Sequence, residues 1–158
     1  MKVCAKGSGR VSIAGLIATK PGRSPRLIFR TRVYHGRKKE KKGFTEVDYA
    51  ALLDGAHQQL GGPIVLLWDN LNTHVSAQMT KLIAARSWLT VFQLPAYACE
   101  LDPVEGLWSH LKKSLVNLVK RTVDQLLGLV KTRLKRMQYR PELIAGFVAK
   151  AGLDLRPP

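Results

Sequence analysis

Five consecutive apolar residues, Ile64–Trp68, run directly into Asp69 and Asn70. A strand that is apolar at every position, rather than at alternate ones, is typical of a parallel sheet covered by helices on both faces. Because open α/β sheets bind ligands at the carboxyl ends of their strands, Asp69 stands where a functional group is expected. The structural alternative is that Asp69 serves only as a turn or helix-cap residue.

The rest of the chain carries alternating strand and helix signals. We predict strands over 10–18 and 26–34, a helix from Thr45 to Gly61-Gly62, a helix over 75–86, a strand over 89–94, and helices beginning at Pro103 and covering 123–137 and 142–151. At the first helix, Thr45 and Asp48 can form a capping box, and Phe44 and Tyr49 a hydrophobic staple. This order of elements predicts an α/β layered domain.

The charge of the chain is strongly positive, with 26 Lys and Arg against 11 Asp and Glu, or +15. Such an excess indicates a polyanionic partner, because Lys and Arg release counterions when they meet phosphates. The densest basic stretch is the predicted loop at 37–42, and a second basic region lies at Lys131, Arg133, Lys135, Arg136 and Arg140. Contacts of this type bind the DNA backbone without distinguishing base sequence. The alternative is a solvated basic surface with no ligand.

Two cysteines far apart, Cys4 and Cys99, favour neither a zinc site nor a disulfide framework. No stretch approaches the roughly 18 apolar residues of a membrane span. We therefore expect a chain that acts in the cytoplasm and has no membrane partner.

A second acidic residue, Glu105, opens the helix that begins at Pro103. Two carboxylates at the edge of a sheet can hold divalent metal ions, which is how several nucleases cut phosphodiesters. Asn70 and His74 strengthen this interpretation of Asp69, because polar groups then converge at one strand end. Glu105 also has a structural explanation: with Asp102 as N-cap it would complete a capping box.

Taken together, these segments resemble the signature of the DDE transposases, and more narrowly the bacterial insertion-sequence group related to Tc1/mariner elements. The family pattern is a strand ending in Asp-Asn with a nearby His, then Leu-Pro-x-Tyr-x-Pro-x-Leu-Asn-Pro-x-Glu-x-x-Trp and a basic helix. This chain has Trp68-Asp69-Asn70 with His74, followed by Leu94-Pro95-Ala96-Tyr97-Ala98-Cys99-Glu100-Leu101-Asp102-Pro103-Val104-Glu105-Gly106-Leu107-Trp108. The match covers roughly residues 10–140.

The resemblance implies an RNase H-like fold, a mixed sheet with flanking helices and a C-terminal helical tail. It implies DNA cleavage and strand transfer with two metal ions, normally Mg²⁺ (or Mn²⁺), held by Asp, Asp and Glu. One ion would activate water or a DNA 3′-hydroxyl, and the other would stabilise the leaving oxygen. Asp69 would be the second carboxylate and Glu105 the third, both as catalytic residues and metal ligands.

We assign further residues to DNA contact. Lys112 and Lys113 follow Glu105 on the same helix, Arg37, Lys38 and Lys39 lie in the basic loop, and His74 lies near Asp69. For the lysine pair and the loop, the alternative is again simple solvation. Trp88 and Trp108 could stack on bases, although the apolar neighbours of Trp108 favour core packing.

The chain departs from the family pattern at three points, and we expect only the first to abolish activity. The family's leading Asp lies on the first strand of its fold, whereas no Asp or Glu precedes Glu40 here. Asp102 replaces an Asn, and Cys99 replaces a Pro. We therefore expect a core that lacks its first strand, weakened metal binding, and little or no activity.

The absence of this first strand should also affect folding. The predicted strands at 11–18 and 64–68 would lack a shared partner, or would close up on each other. Unpaired, desolvated backbone groups cost on the order of 1–3 kcal/mol each, which predicts a marginal or aggregation-prone domain.

The expected organisation is an RNase H-like core at 1–120 with a C-terminal helical extension at 121–158. The expected partners are DNA, as element ends and target, and further copies of the chain on DNA, with no small-molecule cofactor. Two other functions stay open: a non-catalytic basic DNA-binding remnant, and an interaction role through an exposed sheet edge.

Overall fold

The computed structural model describes residues 1–5, 9–96, 98–116 and 122–153. The chain divides into two compact units. The discontinuous unit comprises Met1–Gly43 and Pro103–Pro158, and the continuous unit comprises Phe44–Asp102.

The discontinuous unit contains an antiparallel sheet in the order β1-β2-β3. Its strands are β1 (Lys2–Cys4), β2 (Arg10–Lys20) and β3 (Arg23–Tyr34). Gly22, with φ 73°, closes the β2–β3 hairpin, where a side chain would be strained. The strands predicted over 10–18 and 26–34 are confirmed, and both are longer than expected. The short strand β1, whose Lys2 pairs with Ser12, was not predicted.

Three helices pack on this sheet: α3 (Pro103–Leu115), α4 (Val123–Gln138) and α5 (Pro141–Lys150). The Thr122 hydroxyl accepts a hydrogen bond from the Gln125 N–H at 3.3 Å, which caps α4. The Gln138 side chain donates to the Leu27 carbonyl oxygen at 2.7 Å and ties the end of α4 to β3. The core beneath the helices consists of Val11, Ile13, Leu27, Leu107, Trp108, Leu111, Leu126, Val130, Leu134, Met137 and Ile144.

The continuous unit contains α1 (Glu46–Leu60), β4 (Ile64–Trp68), α2 (Ala77–Ala84) and β5 (Leu89–Gln93). Strands β4 and β5 pair in parallel, from Ile64 with Leu89 to Trp68 with Gln93. The predicted start of α1 is confirmed: the Thr45 N–H donates to the Asp48 carboxylate at 2.8 Å.

The expectation that β4 is buried on both faces is wrong. Leu66 and Trp68 are each 7% exposed, whereas Val65 is 67% and Leu67 is 52% exposed. Phe92, the partner of Leu67 on β5, is 56% exposed. An unbroken apolar run cannot distinguish one buried face from two, because it has no polar positions to mark the face in contact with solvent.

Strands β2 and β4 belong to separate sheets, so among the described residues they share no partner and do not pair with each other. The predicted boundary between residues 120 and 121 lies within 117–121, outside the described residues. Across the described ranges, no helix is both long enough and apolar enough to cross a membrane.

Candidate active site

The carboxyl end of β4 is fixed to the end of β5 by two hydrogen bonds. The Asn70 side-chain amide donates to the Leu94 carbonyl oxygen at 2.9 Å, and the Leu94 N–H donates to the Trp68 carbonyl oxygen at 2.8 Å. Asp69 lies between these two contacts in sequence. The parallel pair therefore holds Asp69 at the strand end that the sequence analysis identified.

The Asp69 side chain is 59% exposed and held at one oxygen. Its Oδ1 accepts hydrogen bonds from the Leu71 N–H at 3.2 Å and from His74 Nδ1 at 2.7 Å. Its Oδ2 accepts none from the described residues. The predicted convergence of Asp69 and His74 is confirmed, and the carboxylate keeps one oxygen available to a ligand.

His74 is largely enclosed, with only 12% of its side chain exposed. Its ring stacks on Trp68 with centroids 4.2 Å apart and lies edge-on to Tyr49 at 4.7 Å. Its Nε2 is buried and has no hydrogen-bond partner within the described ranges. With its proton on Nδ1, the ring donates a hydrogen bond to Asp69 and leaves a lone pair at the buried Nε2. The other neutral tautomer would instead bury an N–H group without an acceptor, which is more costly. The ring is therefore placed to orient Asp69, and its contact with DNA stays a prediction.

Tyr49 is the neighbour that the sequence analysis missed at this site. The predicted staple sets its position, with the Phe44 and Tyr49 rings 5.6 Å apart. Burial, and then the negative charge of Asp69, raise the pKa of the Tyr49 phenol. The phenol therefore stays neutral at physiological pH. Because Tyr49 is far from Asp69 and His74 in the sequence, no local pattern predicted that its ring lies against His74.

Glu105 occupies the third position of α3, in the discontinuous unit, and is exposed. The next three residues explain how the helix is held: Leu107 and Trp108 are buried, and a Cβ on Gly106 would lie 3.1 Å from Phe147 Cδ1. Trp108 is a core residue, as its apolar neighbours indicated. The capping role considered for Glu105 stays a prediction.

Lys112 and Lys113 lie on α3 beyond Glu105, and both are exposed. Trp88, the other ring considered for base stacking, instead stacks on His57 with centroids 4.0 Å apart. Tyr97, part of the family signature, lies outside the described residues.

The basic loop at 37–42 is exposed at Arg37, Lys38 and Lys39. Glu40 organises it, because its carboxylate accepts hydrogen bonds from the N–H groups of His35 and Arg37 at 2.8 and 3.3 Å. The His35 ring contacts Glu40 at 3.1 Å and Asp124 at 3.2 Å, and these two carboxylates raise the pKa of His35. The Arg10 guanidinium donates to the Lys42 carbonyl oxygen. The loop is therefore held at both ends while Arg37, Lys38 and Lys39 stay accessible.

The donor chemistry of these residues fits a hard divalent cation, because carboxylate oxygens are the ligands that Mg²⁺ and Mn²⁺ prefer. Asp69 and Glu105 are both exposed, and Asp69 has a free oxygen. Across residues 1–5, 9–96, 98–116 and 122–153, no three His, Cys, Asp or Glu side chains gather as a metal-binding group. Asp69 and Glu105 lie in different compact units.

Comparison with known proteins identifies a family for most of the chain. The profile of the family described as DDE superfamily endonuclease matches residues 28–127, which include Asp69 and Glu105. Among curated proteins, none matches the chain significantly.

Solved structures of one protein share the fold. The catalytic domain of Mos1 mariner transposase aligns with a TM-score of 0.54 at 13% identity, covering 92% of this chain and 83% of that one. Two structures of that domain described with raltegravir, one with Mn and one with Mg, give TM-scores of 0.55 and 0.53 at 14% and 13% identity. They cover 92% of this chain and 84% and 85% of theirs. The predicted RNase H-like fold is confirmed.

Proposed function

Because the chain belongs to the DDE superfamily endonuclease family, we propose that it is built for metal-dependent cleavage and transfer of DNA strands in transposition. The family match across both acidic residues is the observation that carries this proposal. The fold shared with a transposase catalytic domain and the charge of +15 support it.

Asp69 and Glu105 are the proposed catalytic residues and metal ligands. Asp69 would bind through Oδ2, while His74 and the Leu71 N–H hold Oδ1 in place. Glu105 would contribute its exposed carboxylate from the first turn of α3. Bound Mg²⁺ or Mn²⁺ would supply Lewis acidity and activate the attacking oxygen.

The proposed DNA contacts are basic residues in the discontinuous unit. Lys112 and Lys113 would hold phosphates next to the cut, and Arg37, Lys38 and Lys39 would contact the backbone through the loop. These contacts carry no base specificity. The proposed substrates are the ends of an insertion sequence and its target DNA, bound by several copies of the chain in the bacterial cytoplasm at the nucleoid.

The 158 residues supply two of the three carboxylates that the resemblance predicts, since no Asp or Glu precedes Glu40. A site with two carboxylates carries less negative charge and fewer ligands for each cation. We therefore propose that this polypeptide alone binds metal weakly and cleaves DNA slowly or not at all.

Iron-directed cleavage of the protein tests the metal site without requiring activity. Fe²⁺ with ascorbate and peroxide cuts the backbone near bound iron, so we expect cuts near residues 69 and 105 that Mg²⁺ suppresses. Asp69→Asn and Glu105→Ala should lose both cuts, whereas Glu142→Gln, an exposed carboxylate on α5, should keep them. Cuts at one residue but not the other would overturn the shared metal site.

A nicking assay on supercoiled plasmid with Mg²⁺ tests the proposed low activity. We expect a trace of nicking at most, lost in Glu105→Ala. Robust nicking that disappears in Glu105→Ala would contradict the impairment while supporting the chemistry. Nicking that survives both Asp69→Asn and Glu105→Ala would refute the assigned roles.

A non-catalytic DNA-binding protein is the second candidate, favoured by the excess of exposed cations. It predicts DNA retention whose log K falls with log salt by about 0.9 per phosphate contact. Asp69→Asn would leave that slope unchanged, and the iron-directed cuts would be absent.

A further inference from the structure

A cleft of about 390 Å³ lies between α3 and the end of α4. It is lined by His110, Ser114, Arg133, Arg136, Met137 and Arg140. Helical spacing brings the polar residues to this place. His110 and Ser114 are one turn apart on α3, and Arg133 and Arg136 are one turn apart on α4.

The buried faces of the two helices fix the cleft. Leu111 on α3 and Leu134 on α4 are both fully buried in the core of the discontinuous unit. The residues that flank them in sequence therefore project beside that core. The packing that stabilises the unit therefore also fixes the positions of the polar groups that line the cleft.

Arg133 carries an unused donor at this position. Its Nε is buried and, among the described residues, has no hydrogen-bond partner. A buried N–H without an acceptor is costly, so folded proteins seldom leave one unless a ligand or water satisfies it. An acceptor that enters the cleft would satisfy this group.

The charge of the cleft favours an anion. Three guanidinium groups line it, and one of them, Arg140, is paired with Glu142 at 3.1 Å. The carboxyl end of α4 adds a partial negative charge of about half a unit, which is smaller than the remaining excess of two cations. Guanidinium groups present planar pairs of donors that match phosphate oxygens.

We propose that this cleft binds a phosphate group of the DNA backbone. The proposal rests on the proposed function in taking DNA as the polyanion, but it needs neither metal nor cleavage. Arg133 and Arg136 would donate to the phosphate oxygens, and the Ser114 hydroxyl would add a donor by turning away from the Leu111 carbonyl oxygen that it now contacts.

Duplex binding at several salt concentrations in EDTA tests the cleft. The double variant Arg133→Gln/Arg136→Gln should lower the slope of log K against log salt by about 0.9, which is one phosphate contact. Between 50 and 200 mM salt, the wild type should therefore lose about three- to fourfold more affinity than the variant. The matched control is Lys20→Gln/Arg23→Gln, which removes the same charge from exposed positions on β2 and β3, outside the cleft and outside both basic regions.

An equal change of slope in the two double variants would overturn the proposal, because only total charge would then matter. Inorganic phosphate provides the second arm. If phosphate alone raises the melting temperature of the wild type but not of the Gln variant, while DNA binding is the same in both, the cleft binds a free anion and not the DNA backbone.

Circular dichroism establishes whether the Gln variant folds. If it does not, Arg133→Lys/Arg136→Lys carries the test, since it keeps the charge but loses the planar donor pairs. We expect it to keep the wild-type slope with several-fold weaker binding, and wild-type affinity would refute the cleft. Iron-directed cleavage of the protein keeps the two proposals separate. If the cuts at residues 69 and 105 are absent while the cleft still binds DNA as expected, only the proposed catalytic function is refuted.

Discussion

Gly15 and Trp108 show how one residue can set the packing of a layer. A Cβ on Gly15 would lie 2.8 Å from Trp108 Cη2 and 3.2 Å from Cζ2. Trp108 is 7% exposed and belongs to the core, so its ring has little room to move. The absence of a side chain at residue 15 therefore lets α3 approach β2.

We expect Gly15→Ala to destabilise the protein by about 1–3 kcal/mol through overpacking. Urea unfolding measures the change. Gly128→Ala is the control, because a Cβ there meets nothing within 4 Å on an exposed position of α4. It should stabilise the protein by about 0.5–1 kcal/mol through helix propensity. A neutral Gly15→Ala would show that the ring can shift.

His74 is a positioning residue for Asp69, and its two roles can be separated. His74→Phe keeps a ring between Trp68 and Tyr49 but removes the donor to Asp69 Oδ1. We expect the melting temperature to stay close to that of the wild type while Mn²⁺ affinity, measured by electron paramagnetic resonance, falls several-fold. Unchanged Mn²⁺ affinity would mean that the Leu71 N–H alone orients the carboxylate.

At the scale of elements, Arg86 joins the segment after α2 to α1. Its guanidinium donates to both oxygens of Asp54, at 2.6 and 2.7 Å, in a planar pair. The hydrogen bonds from Arg86 lower the pKa of Asp54 despite partial burial. The side chain of Asp54 is 44% exposed, so solvent screening limits the contribution of this pair to about 1 kcal/mol or less.

The sign of the pH dependence follows from that lowered pKa. The pair contributes its full stability above the ordinary pKa of 3.8 and loses it as the pH falls through the lower folded value. We expect Asp54→Asn to reduce stability at pH 7 and to flatten the acid limb of a stability–pH curve. Arg86→Lys, which keeps the charge without the fork, should show part of the loss. An unaltered acid limb would contradict this account.

Sequence periodicity predicted most elements because each follows from local contacts. The capping box at Thr45 was predicted from Thr45 and Asp48, which are three positions apart. Strand β1 was missed because three residues carry no measurable alternation. The cleft between α3 and α4 was missed for another reason: His110 and Arg133 become neighbours only through tertiary packing. Within the site, the pair of Asp69 and His74 was accessible to sequence analysis and the contact of Tyr49 was not.

At the scale of the whole molecule, the β4–β5 sheet has an exposed apolar face. Val65, Leu67 and Phe92 leave apolar surface accessible on adjacent strands. Exposed contiguous apolar surface promotes association. This face supports the expectation that the chain is prone to aggregate.

We expect Val65→Thr/Leu67→Thr to raise the concentration at which the protein stays monodisperse, with little change in melting temperature. Light scattering and thermal unfolding measure the two quantities. Val11→Thr, at a position with no exposure, is the contrast and should lower the melting temperature. If the double variant melts as early as Val11→Thr, the face contributes to stability within the folded chain.

The discontinuous unit joins residues that the ribosome produces far apart in time. Gln138 contacts the Leu27 carbonyl oxygen 111 positions earlier, and at roughly 5–20 residues per second that interval lasts several seconds. The β2–β3 hairpin is therefore synthesised before the helices that cover it. The continuous unit Phe44–Asp102 is synthesised between them as one uninterrupted segment. We expect the middle of the chain to fold first during synthesis, because its unit is contiguous.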